Sequence, residues 1–179
     1  MFTGYSNVAD IDLDCPEVLE LADNFLIPAG IEFGRESTPR SHRLYKILDM
    51  DKKKHTRTTL TFRDSDKDNT LIELRAHNHY TMCGGLYDNK EKVVYNKLGK
   101  LTELNYDQLH KSYAMLALAA IILRKVRLPN IEHHNEFYKE IAGALCHHKV
   151  TREDAERIFD AVITKANCSN CIKDSKTRL

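Results

Sequence analysis

Charge of one sign is what this sequence has least of. Lys and Arg number 27 against 26 Asp and Glu, for a formal net charge of +1. That balance excludes a chain-wide basic sponge for nucleic acid and leaves room for local patches of either sign. Four prolines and seven glycines are too few and too scattered to form a Pro/Gly linker. There is no internal repeat and no low-complexity tract. No run approaches the ~18 apolar residues that a membrane span needs, so no membrane association is expected. The opening Met1-Phe2-Thr3-Gly4-Tyr5-Ser6 lacks the basic and apolar regions of a secretion signal. Five cysteines, an odd number, then point to free thiols in a reducing compartment. What is present is a 42% hydrophobic fraction in 179 residues, enough for a real core.

The character of the chain changes near residue 100. Before it, strands and turns surround one early helix. Val8 to Asp14 alternates strictly, the period-two signature of a strand. Val18, Leu19, Ala22, Phe25 and Leu26 mark a helix that ends before Pro28. Strands are expected at Ile31–Phe33, His42–Leu48, Thr56–Phe62, Thr70–Ala76 and Lys92–Tyr95, with a polar turn over 64–69. After residue 104 the chain reads as helices. One is capped by Asn105 with Gln108 and stopped by Pro129, and a second carries Phe137, Ile141, Ala144 and Leu145. A third is capped by Thr151 with Asp154 and carries Ala155, Ile158, Phe159, Val162 and Ala166. The expectation is an α+β unit over 1–100 followed by a helical region over 101–179.

Asp10, Asp12 and Asp14 stand two residues apart, so a strand points all three carboxylates to one face, ~6.5–7 Å between neighbours. They repel each other there, and a hard divalent cation such as Mg²⁺ or Mn²⁺ is the natural partner. Two such ions can clamp a phosphoryl displacement. The plainer alternatives are a solvated acidic face and, for Asp14 with Pro16 and Glu17, a helix N-cap. Which of the three acids ligate is left open by the pattern.

The run Phe33-Gly34-Arg35-Glu36-Ser37-Thr38-Pro39-Arg40-Ser41-His42-Arg43-Leu44-Tyr45 is the second signal. Its arginines, serines and histidine supply donors for phosphate oxygens, and its glycine permits close backbone approach. A basic surface loop is the plainer reading. Glu73, inside the apolar strand Leu71-Ile72-Glu73-Leu74-Arg75, is a further carboxylate. With Arg75 on the same face, it is otherwise half of a routine ion pair.

These motifs, in this order, resemble the archaeo-eukaryotic primase superfamily, in particular the bifunctional primase-polymerase domain of phage and mobile-element replication proteins. Asp12-Leu13-Asp14 looks like its acidic first motif. Phe33 to Tyr45 looks like the histidine-bearing second, and Ile72-Glu73-Leu74-Arg75 like the third. His134-Asn135 followed by Ile141-Ala142-Gly143-Ala144-Leu145 extends the likeness into the tail. The resemblance implies a primase-polymerase-like catalytic core with an RRM-like sheet, then a small helical bundle. Asp12, Asp14 and Glu73 would hold two Mg²⁺ or Mn²⁺ ions, and Arg35, Ser37, Ser41 and His42 would contact the phosphates of a nucleoside triphosphate. The reaction implied is attack of a 3′-hydroxyl on the α-phosphate, on a DNA template and beside a replicative helicase, in the cytoplasm (the host's, if the chain is viral). Family members carry a further α/β segment before the first motif, where this chain has a handful of residues. They also often carry a serine-histidine turn after the third motif, where it has Tyr80-Thr81-Met82-Cys83-Gly84-Gly85. Those departures favour a second reading, a non-catalytic primase-like module that binds nucleotide or nucleic acid. A phosphohydrolase using the same acids is a third.

Other features carry less. His77 with His79, the doublets His133-His134 and His147-His148, and Cys168-Ser169-Asn170-Cys171 lack the second matching pair of a zinc site. Asp51-Lys52-Lys53-Lys54-His55, with Arg57 and Arg63, reads as a charged hairpin tip or as a track for a template backbone.

Overall fold

The computed structural model describes residues 1–3, 7–50, 59–64, 69–76, 78–88, 90–127 and 134–166. The basic run 51–58, most of the polar turn, His77, Pro129, His133 and the Cys168/Cys171 pair lie outside the described residues. The chain is α+β. In order it forms β1 (Phe2–Thr3), β2 (Val8–Leu13), α1 (Pro16–Phe25), β3 (Ile31–Arg35), β4 (His42–Ile47), β5 (Thr59–Asp64) and β6 (Asn69–Arg75). There follow β7 (His79–Tyr80), β8 (Leu86–Tyr87), β9 (Glu91–Leu98), β10 (Thr102–Leu104), α2 (Tyr106–Val126), α3 (His134–His147) and α4 (Arg152–Ala166).

Eight strands make one sheet in the order β5-β6-β2-β4-β3-β9-β8, with β10 on β4; β1 and β7 form a separate two-stranded ribbon. All pairings are antiparallel except β10 with β4. β4 is the organising strand. One of its edges pairs with β2, and the other is shared, β3 taking His42–Leu44 and β10 taking Tyr45–Ile47. β10 thus carries the sheet past residue 100. It gets there through a crossing that needs a glycine, since a Cβ on Gly30 would lie 1.6 Å from the Lys100 carbonyl oxygen.

Period-two alternation decides what each face of β2 meets. Ala9, Ile11 and Leu13 join Tyr45, Ile47, Ile72 and Leu74 in a core shared with α1, α2 and α4. α1 contributes the buried stripe Val18, Leu21, Ala22 and Phe25. α2 contributes Leu109, Tyr113, Leu116 and Ala120 among others, all buried, so this face is core. The Tyr113 hydroxyl donates to the carbonyls of Leu60 and Ile72, tying α2 to β5 and β6. Glu17 with Arg124 and Glu20 with Arg127 bind α1 to the end of α2. The expected caps form: the Asn105 amide donates to the Gln108 side chain at 2.9 Å and the Asp154 amide to the Thr151 hydroxyl at 3.2 Å. Ala155, Ile158, Phe159 and Val162 are buried as the spacing predicts, and Ala166 is half-buried. Among the described residues no helix is long and apolar enough to cross a membrane.

Candidate active site

The sheet face away from the helices carries one row of side chains across six strands. Reading the pairings outward from β5 gives Thr61, Glu73, Asp12, His42, Phe33 and Tyr95, each directly opposite the next. Directly opposed residues lie close enough to interact. This register, set by antiparallel pairing on both edges of β2, brings together acids and a histidine that are about 60 residues apart in sequence at the extremes.

Asp14 extends the row beyond the end of β2, where its amide donates to the Leu71 carbonyl at 3.0 Å. Asp14 does not cap α1; the N-cap position is Cys15, with no side-chain bond to the helix. One carboxylate oxygen from each of Asp12, Asp14 and Glu73 lies within 4.8 Å of the others. Asp12 is buried, Glu73 half-buried and Asp14 exposed. Arg75 supplies the counter-charge: its Nη2 is 2.6 Å from Asp12 Oδ2 and 2.6 Å from Glu73 Oε2, and its Nε donates to Glu73 at 2.8 Å. Burial, reinforced by Asp10 and Asp14 and opposed by His42 and Arg75, pushes the Asp12 carboxyl up to about 7. Burial and the neighbouring Glu73 raise Asp14 as well.

Asp10 does different work. It is fully buried, its Oδ2 lies 3.0 Å from His42 Nδ1, and the same oxygen accepts the Thr81 hydroxyl at 2.8 Å. Its Oδ1 is buried with no hydrogen-bond partner among the described residues. With Nδ1 engaged, Nε2 is the ring nitrogen left for the cleft. The imidazole also stacks on Phe33, centroids 4.8 Å apart and planes 12° from parallel. Burial opposes the charged imidazole, but the bond to Asp10 and the charges of Asp10 and Asp12 outweigh it, so the His42 pKa is raised.

Asp12, Asp14, Ser41, His42 and Arg75 line a cleft of about 340 Å³, whereas Asp10 and Glu73 are not among its lining residues. Arg35 also lines it, its guanidinium 4.4 Å over the Tyr87 ring. The turn between β3 and β4 folds back on Gly34, where a Cβ would stand 2.2 Å from the Thr38 carbonyl oxygen and 2.9 Å from Ser41 Oγ. Of the expected phosphate donors, Arg35, Ser41 and His42 reach the cleft. Ser37 is not among its lining residues, and its hydroxyl donates to Glu91 at 2.7 Å. Arg40 is held by Asp23 and Glu32, and Arg43 by Asp23. Those two arginines anchor the turn to α1 and β3.

Sequence reasoning misses three parts of this site. The Asp10–Thr81 bond joins residues 71 apart in the chain, and no local spacing signals it. Phe33 is legible only as an apolar strand residue. Tyr80, Met82 and Tyr87, which also line the cleft, give only the weak signal of large apolar residues in short polar segments. In comparison with known proteins, the chain matches no family model, no curated protein and no solved structure.

Proposed function

We propose that the chain is a metal-dependent nucleotidyltransferase of the DNA primase/polymerase kind, adding nucleotides to a 3′-hydroxyl in replication of a phage or mobile element. The observation that supports the reading is the convergence of Asp12, Asp14 and Glu73 within 4.8 Å, two of which, Asp12 and Asp14, line a cleft together with Arg35, Ser41 and His42. An all-carboxylate donor set of this size suits Mg²⁺ or Mn²⁺, which take hard oxygen ligands and share them with substrate phosphates. Asp12, Asp14 and Glu73 would hold the ions, which supply neutralisation of phosphate charge and activation of the attacking hydroxyl. The chain's own residues do the rest. Arg35 and His42 present positive charge to a polyphosphate, and Ser41 offers a hydroxyl donor. Asp10 fixes the imidazole, and Arg75 holds Asp12 and Glu73 together against their repulsion.

A second reading, a non-catalytic nucleotide- or nucleic-acid-binding module, draws on one observation: Arg75 by itself compensates two of the three acids. Primed and unprimed templates with labelled nucleotides and Mn²⁺ or Mg²⁺ separate the readings. Incorporation is expected, and Asp12→Asn/Asp14→Asn should lower it by at least ~10²–10³-fold. Nucleotide binding with no incorporation selects the binding module, and pyrophosphate release without extension selects a phosphohydrolase. Absence of both nucleotide binding and incorporation overturns the assignment.

A further inference from the structure

The large apolar side chains left exposed are concentrated in one place. Ten are found among the described residues, and seven of them lie between Tyr80 and Leu98, on β7, β8, β9 and the intervening loop. Tyr80 is 77% exposed, Tyr87 46% and Tyr95 43%. An exposed apolar cluster of this kind marks a binding surface more often than a scattered residue does. Tyr80 and Tyr87 also line the cleft, so the patch is continuous with the row that holds Asp12 and His42. The charge of the same stretch is basic. From Leu86 to Lys100 there are four lysines, Lys100 included, against two acids, and one of the acids, Glu91, accepts the Ser37 hydroxyl. Lys90 and Lys92 are exposed beside the tyrosines.

We infer that the β7–β9 surface binds single-stranded nucleic acid, with bases stacked on Tyr80 and Tyr87 and phosphates on Lys90 and Lys92. Flat aromatic faces interleaved with cations match a polymer that alternates flat bases with anionic phosphates. A second copy of the chain fits poorly, because a two-fold contact would bring each lysine cluster against its own image. A dry protein interface would have to take the same ammonium groups out of water, where lysines outnumber acids. The inference deepens the nucleotidyl-transfer reading and rests on it for naming nucleic acid as the polyanion. It places the strand along the part of the cleft lined by Tyr80 and Tyr87.

The test is fluorescence anisotropy of the full chain with a labelled oligothymidylate of about 20 nucleotides, at several salt concentrations. Salt-sensitive binding is expected. Tyr80→Ala/Tyr87→Ala should weaken it about 10-fold or more, while Tyr80→Phe/Tyr87→Phe preserves it, since stacking needs the ring and not the hydroxyl. Lys90→Gln/Lys92→Gln should flatten the salt dependence by about 0.7 in slope for each phosphate that is no longer neutralised. An unchanged thermal midpoint in each variant establishes that the fold persists. No binding at low salt, or equal binding by the alanine variant, overturns the inference. So does a dimer in light scattering that the alanine variant dissociates without changing oligonucleotide affinity. None of these measurements uses metal or turnover, so failure of nucleotide incorporation in the same preparation counts against the nucleotidyl-transfer reading alone.

Discussion

Ile11 and Asp12 are neighbours on β2, and both are nearly out of water, Ile11 at 0% and Asp12 at 6% exposure. On the helix side, Ile11 is surrounded by apolar groups that satisfy it completely. On the other side, Asp12 faces Glu73 and Asp14 at close range and depends on Arg75 and His42 for compensation. The first face converts burial into stability. The second spends stability on holding like charges together, which is how sites that bind cations or phosphates are built. The largest expected effects follow from that contrast. Ile11→Ala should cost about 2–5 kcal/mol of unfolding free energy, because a packed core closes poorly around the lost volume. Asp12→Asn should stabilise the metal-free protein at pH 8, because it removes a charge that burial and two neighbouring carboxylates disfavour. Denaturant melts of the two variants check both signs. A loss of stability in Asp12→Asn matching that in Ile11→Ala breaks the comparison and makes the acid a structural member of the core.

The two faces also differ in how far the sequence reveals them. Alternation along residues 8–14 separates Ala9, Ile11 and Leu13 from Asp10, Asp12 and Asp14 by inspection, and the helix stripes are equally plain. The partners of each acid are another matter. Asp10 and Asp12 look equivalent in sequence, yet cross-strand register sets Asp12 between Glu73 and His42 and sets Asp10 opposite Arg75 and Leu44. That register depends on strand order, which no local pattern contains. Glu73 and Arg75 are legible as a same-face pair; the reach of Arg75 across to Asp12 is not. β1, β7 and β8, at two residues each, are too short to show a period, which hides the Thr81 bond and the Tyr80–Tyr87 wall. Ser37 reads as a phosphate donor because it stands in a basic turn; a carboxylate 54 residues away holds it instead.

A second way to sharpen the contrast is pH. The folded Asp12 carboxyl sits at about 7 against an ordinary 3.8, chiefly through burial. Between those values the native state binds more protons than the unfolded chain, so stability falls as pH rises and levels off above 7. His42 acts in the same direction. Its raised pKa contributes stability below its ordinary 6.5, and that contribution disappears as pH climbs through the folded value. The helix side behaves oppositely. Burial works against the charged form of Glu17 and Asp23, but their arginine partners prevail and hold both carboxyls low, so their contribution is lost only in strong acid. Metal-free protein should therefore be more stable at pH 5.5 than at pH 8, by a few kcal/mol at most. Mn²⁺ should reduce the difference, since a cation favours the ionised acids. A profile that rises from pH 5.5 to 8 refutes the ordering, and Asp12→Asn should flatten whatever slope is found.

The smallest effect is expected at Thr81, where the β1–β7 ribbon meets the polar face. Thr81 is 1% exposed, and its hydroxyl donates to the one oxygen of Asp10 that also holds His42. Thr81→Val keeps the shape and removes the donor. Asp10 Oδ1 already lacks a hydrogen-bond partner among the described residues, which leaves the carboxylate with His42 and an Arg75 nitrogen 4.0 Å away. Losing one neutral donor to a buried carboxylate should cost about 1–3 kcal/mol, at the lower end if water enters behind the ribbon. His42 should keep its place through Phe33 and Asp10, so nucleotide affinity should change less than stability does. Measuring both in one preparation decides what the ribbon is for. A stability loss with affinity intact makes it a cover that dries Asp10. An affinity loss larger than the stability loss makes Thr81 a positioning residue for the histidine, and the polar face then extends from β2 through to the ribbon as one connected unit.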